Sequence, residues 1–305
     1  MKGALALIES PELALAERAC LTNNPAFLEQ ALSQTADDDL YFIHDRTRAH
    51  AVRNNATAVL DKLVELGVSF ADVSSKDAWG GGQTSTATLE FLLAHGWDIN
   101  KRAEYSTEAQ PLMWFTVRNI EMVKWCLEHG ASVHPRDMEP IQDNVITQSQ
   151  RSCEQILEHV VATGDIATFE LLRGKGASLG WRCLHRAVEQ AAHSDPARED
   201  AATAAAYDKR MAMVLHLLDV VKLDVNAPDQ PVDAKVPNRL GTPICYIPGS
   251  GTSVEDTREL TWLLLDRGAD PTPALKIAQD EYPQFIEDVK AWRARKGDSN
   301  KCCIQ

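Results

Sequence analysis

Apolar positions along this 305-residue chain fall in a phrase that recurs six times with drift: two or three apolar residues, a turn, then a small residue and a polar one. The copies read LDKLVELGVSFA, LEFLLAHGWDIN, VKWCLEHGASVH, FELLRGKGASLG, VLHLLDVVKLDVN and TWLLLDRGADP. The turn glycines mark the period: 29 residues from Gly67 to Gly96, 34 from Gly96 to Gly130, 46 from Gly130 to Gly176, and 92, twice 46, from Gly176 to Gly268. Lys222 stands halfway through the last interval, with Leu223, Asp224, Val225 and Asn226 in place of a glycine turn. A constant module with variable links predicts a stack of helix pairs, each burying its apolar faces against the next, rather than one core around a pocket.

A first helix is expected before each phrase, with apolar residues at i, i+3 and i+4. The clearest begins at Gly241-Thr242-Pro243-Ile244. Thr242 as N-cap would accept from unpaired amides, and Pro243 at the first helical position has no amide to leave unpaired. The same slot holds Thr47-Arg48-Ala49-His50, Gln110-Pro111-Leu112 and Arg182-Cys183-Leu184-His185. Gly80-Gly81-Gly82 stands where one copy should have its first helix, which is therefore expected to be short or distorted.

GTPIC, RCLHRAVE and LLLDRGADP resemble the G-T-P-L-H-x-A and L-L-x-x-G-A-D-x-N phrases of ankyrin repeats, over roughly Asp37 to Pro271. The resemblance implies an all-α, ankyrin-like solenoid of stacked helix pairs with finger loops, whose fingers and first-helix face bind a protein partner. It also implies that His50 and His185, in the histidine slot, bond to nearby backbone. Residues 1–35 then form amino-terminal capping helices, 36–272 about six degenerate repeats, 273–296 carboxyl-terminal capping helices and 297–305 a flexible tail. Two insertions stand out: an alanine-rich stretch from Ala191 to Lys209, and Asn226 to Leu240, whose Pro228, Pro231 and Pro237 predict an extended loop.

Composition narrows the function. A net charge of −13 disfavours a nucleic-acid surface. The charge is uneven: residues 290–301 carry Lys290, Arg293, Arg295, Lys296 and Lys301 against Asp298, a net +4, leaving −17 elsewhere. Seven cysteines without C-x-x-C spacing point away from a disulfide framework and a zinc knuckle, and towards a reducing, cytoplasmic compartment. No apolar run reaches the roughly 20 residues of a membrane span, and the first apolar run is too short for a signal peptide.

Catalytic, cofactor and metal sites are not expected. Gly80-Gly81-Gly82 lacks the lysine and hydroxyl of a phosphate loop, and Asp37-Asp38-Asp39 lacks the spaced oxygens of a calcium loop. Trp125 and Trp262, inside second helices, should be core. Trp79, Trp97, Trp114 and Trp181, with Arg102, Tyr105 and Arg239, are the candidate partner contacts, being residue types that dominate binding energy near turns, fingers and first-helix starts. Cys302-Cys303-Ile304-Gln305 fits the C-a-a-X pattern of a farnesyl type, apart from Cys303, which is not aliphatic. The basic run before it would be the second signal that stable anchoring needs. The sequence thus predicts a non-catalytic, monomeric interaction scaffold, possessing a lipid tether at Cys302 to the cytosolic face of a membrane. The alternatives are a soluble regulatory or inhibitory subunit, or an enzyme with a site built from the long insertions.

Overall fold

The computed structural model describes residues 10–102, 110–136, 153–194, 201–231, 239–249 and 256–302. The described residues are helical with no strand, and the chain divides into two compact units, 1–153 and 154–305.

The first unit opens with α1 (Pro11–Thr22) and α2 (Pro25–Gln34), where Ser10 and Asn24 cap the amides of Leu13 and Ala26 and a proline starts each helix. Three pairs follow: α3 (Leu40–Arg53) with α4 (Thr57–Glu65), α5 (Ser75–Trp79) with α6 (Thr86–Ala94), and α7 (Leu112–Thr116) with α8 (Ile120–Glu128). The second unit contains α9 (Ile156–Val160) with α10 (Ile166–Gly174), α11 (Cys183–Ala192) with α12 (Ala201–Asp219), a 3-10 turn at Pro243–Tyr246 with α13 (Arg258–Asp266), and the closing helices α14 (Thr272–Glu281) and α15 (Pro283–Cys302). Helix α15 continues through Gly297 to Cys302, where the sequence reading had placed the start of the tail.

The recurrent phrase has a recurrent structure. Helices α4, α6, α8, α10 and α13 each span nine residues. The glycine after each adopts positive φ, from +75° at Gly67 to +89° at Gly176. The next amide then donates to the carbonyl five residues back: Val68 to Leu63, Trp97 to Leu92, Ala131 to Cys126, Ala177 to Leu172 and Ala269 to Leu264. Only glycine takes this left-handed turn without a Cβ penalty, which is why the phrase carries it. Lys222 adopts φ +66° in its stead, and the turn there is one residue longer, from Leu223 to Leu217.

After the glycine, a side-chain oxygen accepts the amide two residues on: Ser69 from Ala71, Asp98 from Asn100, Ser132 from His134, Asp224 from Asn226, and Asp270 from Thr272. Asparagines then bracket neighbouring modules. Asn100 Nδ2 donates to Gly130 O at 3.0 Å and its Oδ1 accepts from Ser132 N at 2.7 Å. Asn226 makes the same pair of bonds to Gly268 O and Asp270 N, both at 2.9 Å. Between the bracketed turns the apolar positions of the phrase close the core, with Leu89, Leu92, Val123 and Cys126 buried in the first unit and Leu260 and Leu264 in the second.

The first helix opened by Thr242-Pro243 is shorter than the sequence suggests, while α3 and α11 run to 14 and 10 residues. At Thr242 no amide reaches the hydroxyl, and Pro243–Tyr246 makes a single 3-10 turn. Pro248, two residues on, has no amide to continue a ladder, and the Gly249 amide makes one last bond back to Cys245 O. The Gly80–Gly82 connection leaves α5 with five residues.

Candidate functional site

In the second unit, α9, α11 and the Pro243–Tyr246 turn lie side by side. Helix α11 turns Leu184, Ala187, Val188 and Ala191 inward, while Arg182, Arg186 and Glu189 follow one strip at helical spacing. Glu154 and Glu158, four residues apart at the start of α9, face that strip.

Glu158 is buried at 6% exposure, and its Oε1 accepts the backbone amide of Arg182 at 2.6 Å. Gly180, at φ +69°, makes room: a Cβ there would stand 2.3 Å from that oxygen. Burial pushes the Glu158 carboxyl above the ordinary carboxylate range, against the pull of Arg182 and Arg239. Glu154 shifts the other way; burial opposes its charge, but His159, Arg186 and Arg182 hold it below the usual value. Its Oε1 is 3.6 Å from Arg182 Nη1 and 3.5 Å from Arg186 Nε, while Arg186 Nη1 donates to Glu189 at 2.9 Å. The Arg182 guanidinium lies 5.6 Å from the Tyr246 ring centre.

Beneath this surface, Tyr246 donates to Asp229 Oδ2 at 2.6 Å, and the same oxygen accepts the amides of Leu240 and Gly241. Asp229 thereby ties the returning end of the long finger to the first-helix turn. His185 is buried with Nε2 3.1 Å from Ala227 O, so Nε2 carries the proton, and burial lowers its pKa to about 4. Burial, with Glu158 and Glu154 next, raises the Cys183 thiol, whose Sγ donates to Leu179 O. A thiol held protonated is a poor nucleophile. The arrangement offers guanidinium donors and one exposed aromatic ring: Trp181, 54% exposed, precedes Arg182.

The candidate contacts separate. Trp181 is exposed, Trp79 and Arg239 are half-buried, and Tyr105 lies outside the described residues. Trp97, 3% exposed, sends its Nε1 to Val73 O at 3.0 Å, and Trp114 is fully buried; both are core, because an indole near a turn can reach inward as well as outward. Arg102 is 7% exposed with Nη1 bonded to Arg136 O, so it holds the loop instead of facing solvent. Trp125 and Trp262 are half-buried rather than core. Trp125 stacks on His129 at 4.0 Å, and Trp262 bonds to Asp288 O beneath Arg295. His50 is half-buried and 3.6 Å from Glu17, unlike its counterpart His185. Sequence reasoning missed Glu154, Glu158, Arg186 and Asp229, which gather across 75 residues of chain without any local motif.

The basic run before Cys302 is partly spent within the unit: Lys290 pairs with Glu287, and Arg295 and Lys296 pair with Asp266. No helix among the described residues is long and apolar enough to cross a membrane. No protein-family model matches the chain, and no curated protein matches its sequence.

Proposed function

We propose that this chain is a non-catalytic interaction scaffold of ankyrin type, a solenoid of stacked helix pairs whose fingers and first-helix face hold a protein partner in the cytosol. The observation that carries the reading is the recurrence of one turn: five nine-residue second helices, each closed by a positive-φ glycine, with asparagine brackets between successive turns at Asn100 and Asn226. A module repeated in this way builds a long surface, and partner binding is what such surfaces suit. Cys20, Cys126, Cys183 and Cys245 are free and buried thiols, a state that a reducing compartment keeps.

The test is affinity purification from the native cell, followed by reconstitution of any recovered protein with the purified chain in a calorimeter. The reading expects a saturable complex that weakens with Trp181→Ala. Failure of every recovered protein to reconstitute would oppose it. Tethering through Cys302 is a separate proposal that rests on sequence alone. It predicts that Cys302→Ser moves the full chain from membranes to the soluble fraction in a eukaryotic cell; equal distributions would remove it.

A further inference from the structure

We propose that Arg239, with Arg182 and Arg186, receives a carboxylate from an acidic peptide segment of the partner, and that exposed Trp181 supplies the adjoining apolar contact. The inference rests on the scaffold reading and names the chemistry of what that scaffold would bind.

The cluster holds more guanidinium donors than it has acceptors placed to take them. Each guanidinium carries five N–H groups and cannot lose its charge. Arg239 makes no hydrogen bond among the described residues, and its Nε and Nη1 are buried without a partner. Arg182 Nε and Arg186 Nε are buried and unbonded as well. Glu154, at 3.5 and 3.6 Å, balances charge without reaching the 2.7–2.9 Å of a charge-assisted hydrogen bond. Glu158 has one oxygen committed to the Arg182 amide, and Arg239 enters the cluster through its neighbour Leu240, whose amide bonds the Asp229 oxygen that also takes the Tyr246 hydroxyl, with the Arg182 guanidinium 5.6 Å from that tyrosine ring.

A planar carboxylate fits the fork of a guanidinium, and its single charge is repelled less than a phosphate's by Glu154 and Glu158. Tryptophan and arginine side by side are the residues that concentrate binding energy, and Trp181 is the large apolar side chain left exposed next to this cluster.

The probe is a displayed library of random dodecapeptides selected on the full chain at low salt. The expected result is a set of Asp- or Glu-bearing binders that weaken with added salt and lose about tenfold or more in affinity on Arg239→Gln, with a loss on Trp181→Ala as well. Arg239→Gln should stay folded, as its melting temperature will show, since the side chain makes no hydrogen bond among the described residues; Trp181→Ala, at an exposed site, serves if it does not. Binders that lack acidic residues, or that keep their affinity in both variants, overturn the carboxylate site and leave the scaffold reading standing. A selection that yields no binder overturns the inference and also counts against the scaffold reading.

Discussion

Replacing Asn226 by alanine tests the stack at its most repeated detail. The side chain donates to Gly268 O and accepts from Asp270 N, both at 2.9 Å, and no other bond joins it to that turn. A net intramolecular hydrogen bond contributes about 0.5–1.5 kcal/mol, and both groups are exposed enough for water to replace the lost partner, so the expected cost is about 1–2 kcal/mol rather than the upper limit. Urea unfolding followed by circular dichroism should show a lower midpoint at unchanged m-value, and the Asp270 amide should exchange faster. Asn226→Asp keeps the acceptor for Asp270 N but turns a carboxylate oxygen toward Gly268 O, so it should recover little of the loss. Asn100→Ala, which touches Gly130 and Ser132, should act in the first unit and leave the Asp270 amide alone. A stability change below about 0.3 kcal/mol with unaltered exchange at Asp270 would refute the bracket as a contributor to the fold.

Gly180→Ala should destabilise by about 1–3 kcal/mol in thermal unfolding, because it places a Cβ 2.3 Å from Glu158 Oε1 at φ +69°; the added change Glu158→Ser should recover part of that, and no recovery would mean that backbone strain alone is responsible. Acid should weaken the second unit through His185. Its pKa is about 4 when folded against about 6.5 unfolded, so the unfolded chain binds the extra proton between those values. The contribution is complete above pH 6.5 and is lost as pH falls toward 4, by about 3 kcal/mol in all. His185→Gln should flatten that part of the stability curve, and parallel curves for the two proteins would contradict the assignment.

The second helices and their turns were legible because they depend on local chemistry: a nine-residue apolar segment, a glycine for the left-handed turn, and a small acceptor after it. Even the substitute turn at Lys222 could be located by period, and it takes positive φ there. First helices were less legible. Thr242-Pro243 reads as a strong start, but the segment makes only a single 3-10 turn before Pro248, which lacks an amide. Exposure of single aromatic residues was not legible either: Trp97 and Trp181 both stand near turns, and only the three-dimensional path sends the first to Val73 O and the second to solvent. The charged cluster was invisible for the same reason. Glu154, Arg186 and Arg239 belong to different modules, and nothing in their local sequence distinguishes them from ordinary surface charges.

The most direct test of the account is hydrogen exchange of the chain with and without its reconstituted partner. Binding through fingers and first helices predicts new protection in residues 178–190 and 239–246, with helices α10 and α13 unchanged. Protection confined to α10 and α13, on the second-helix side, would contradict it.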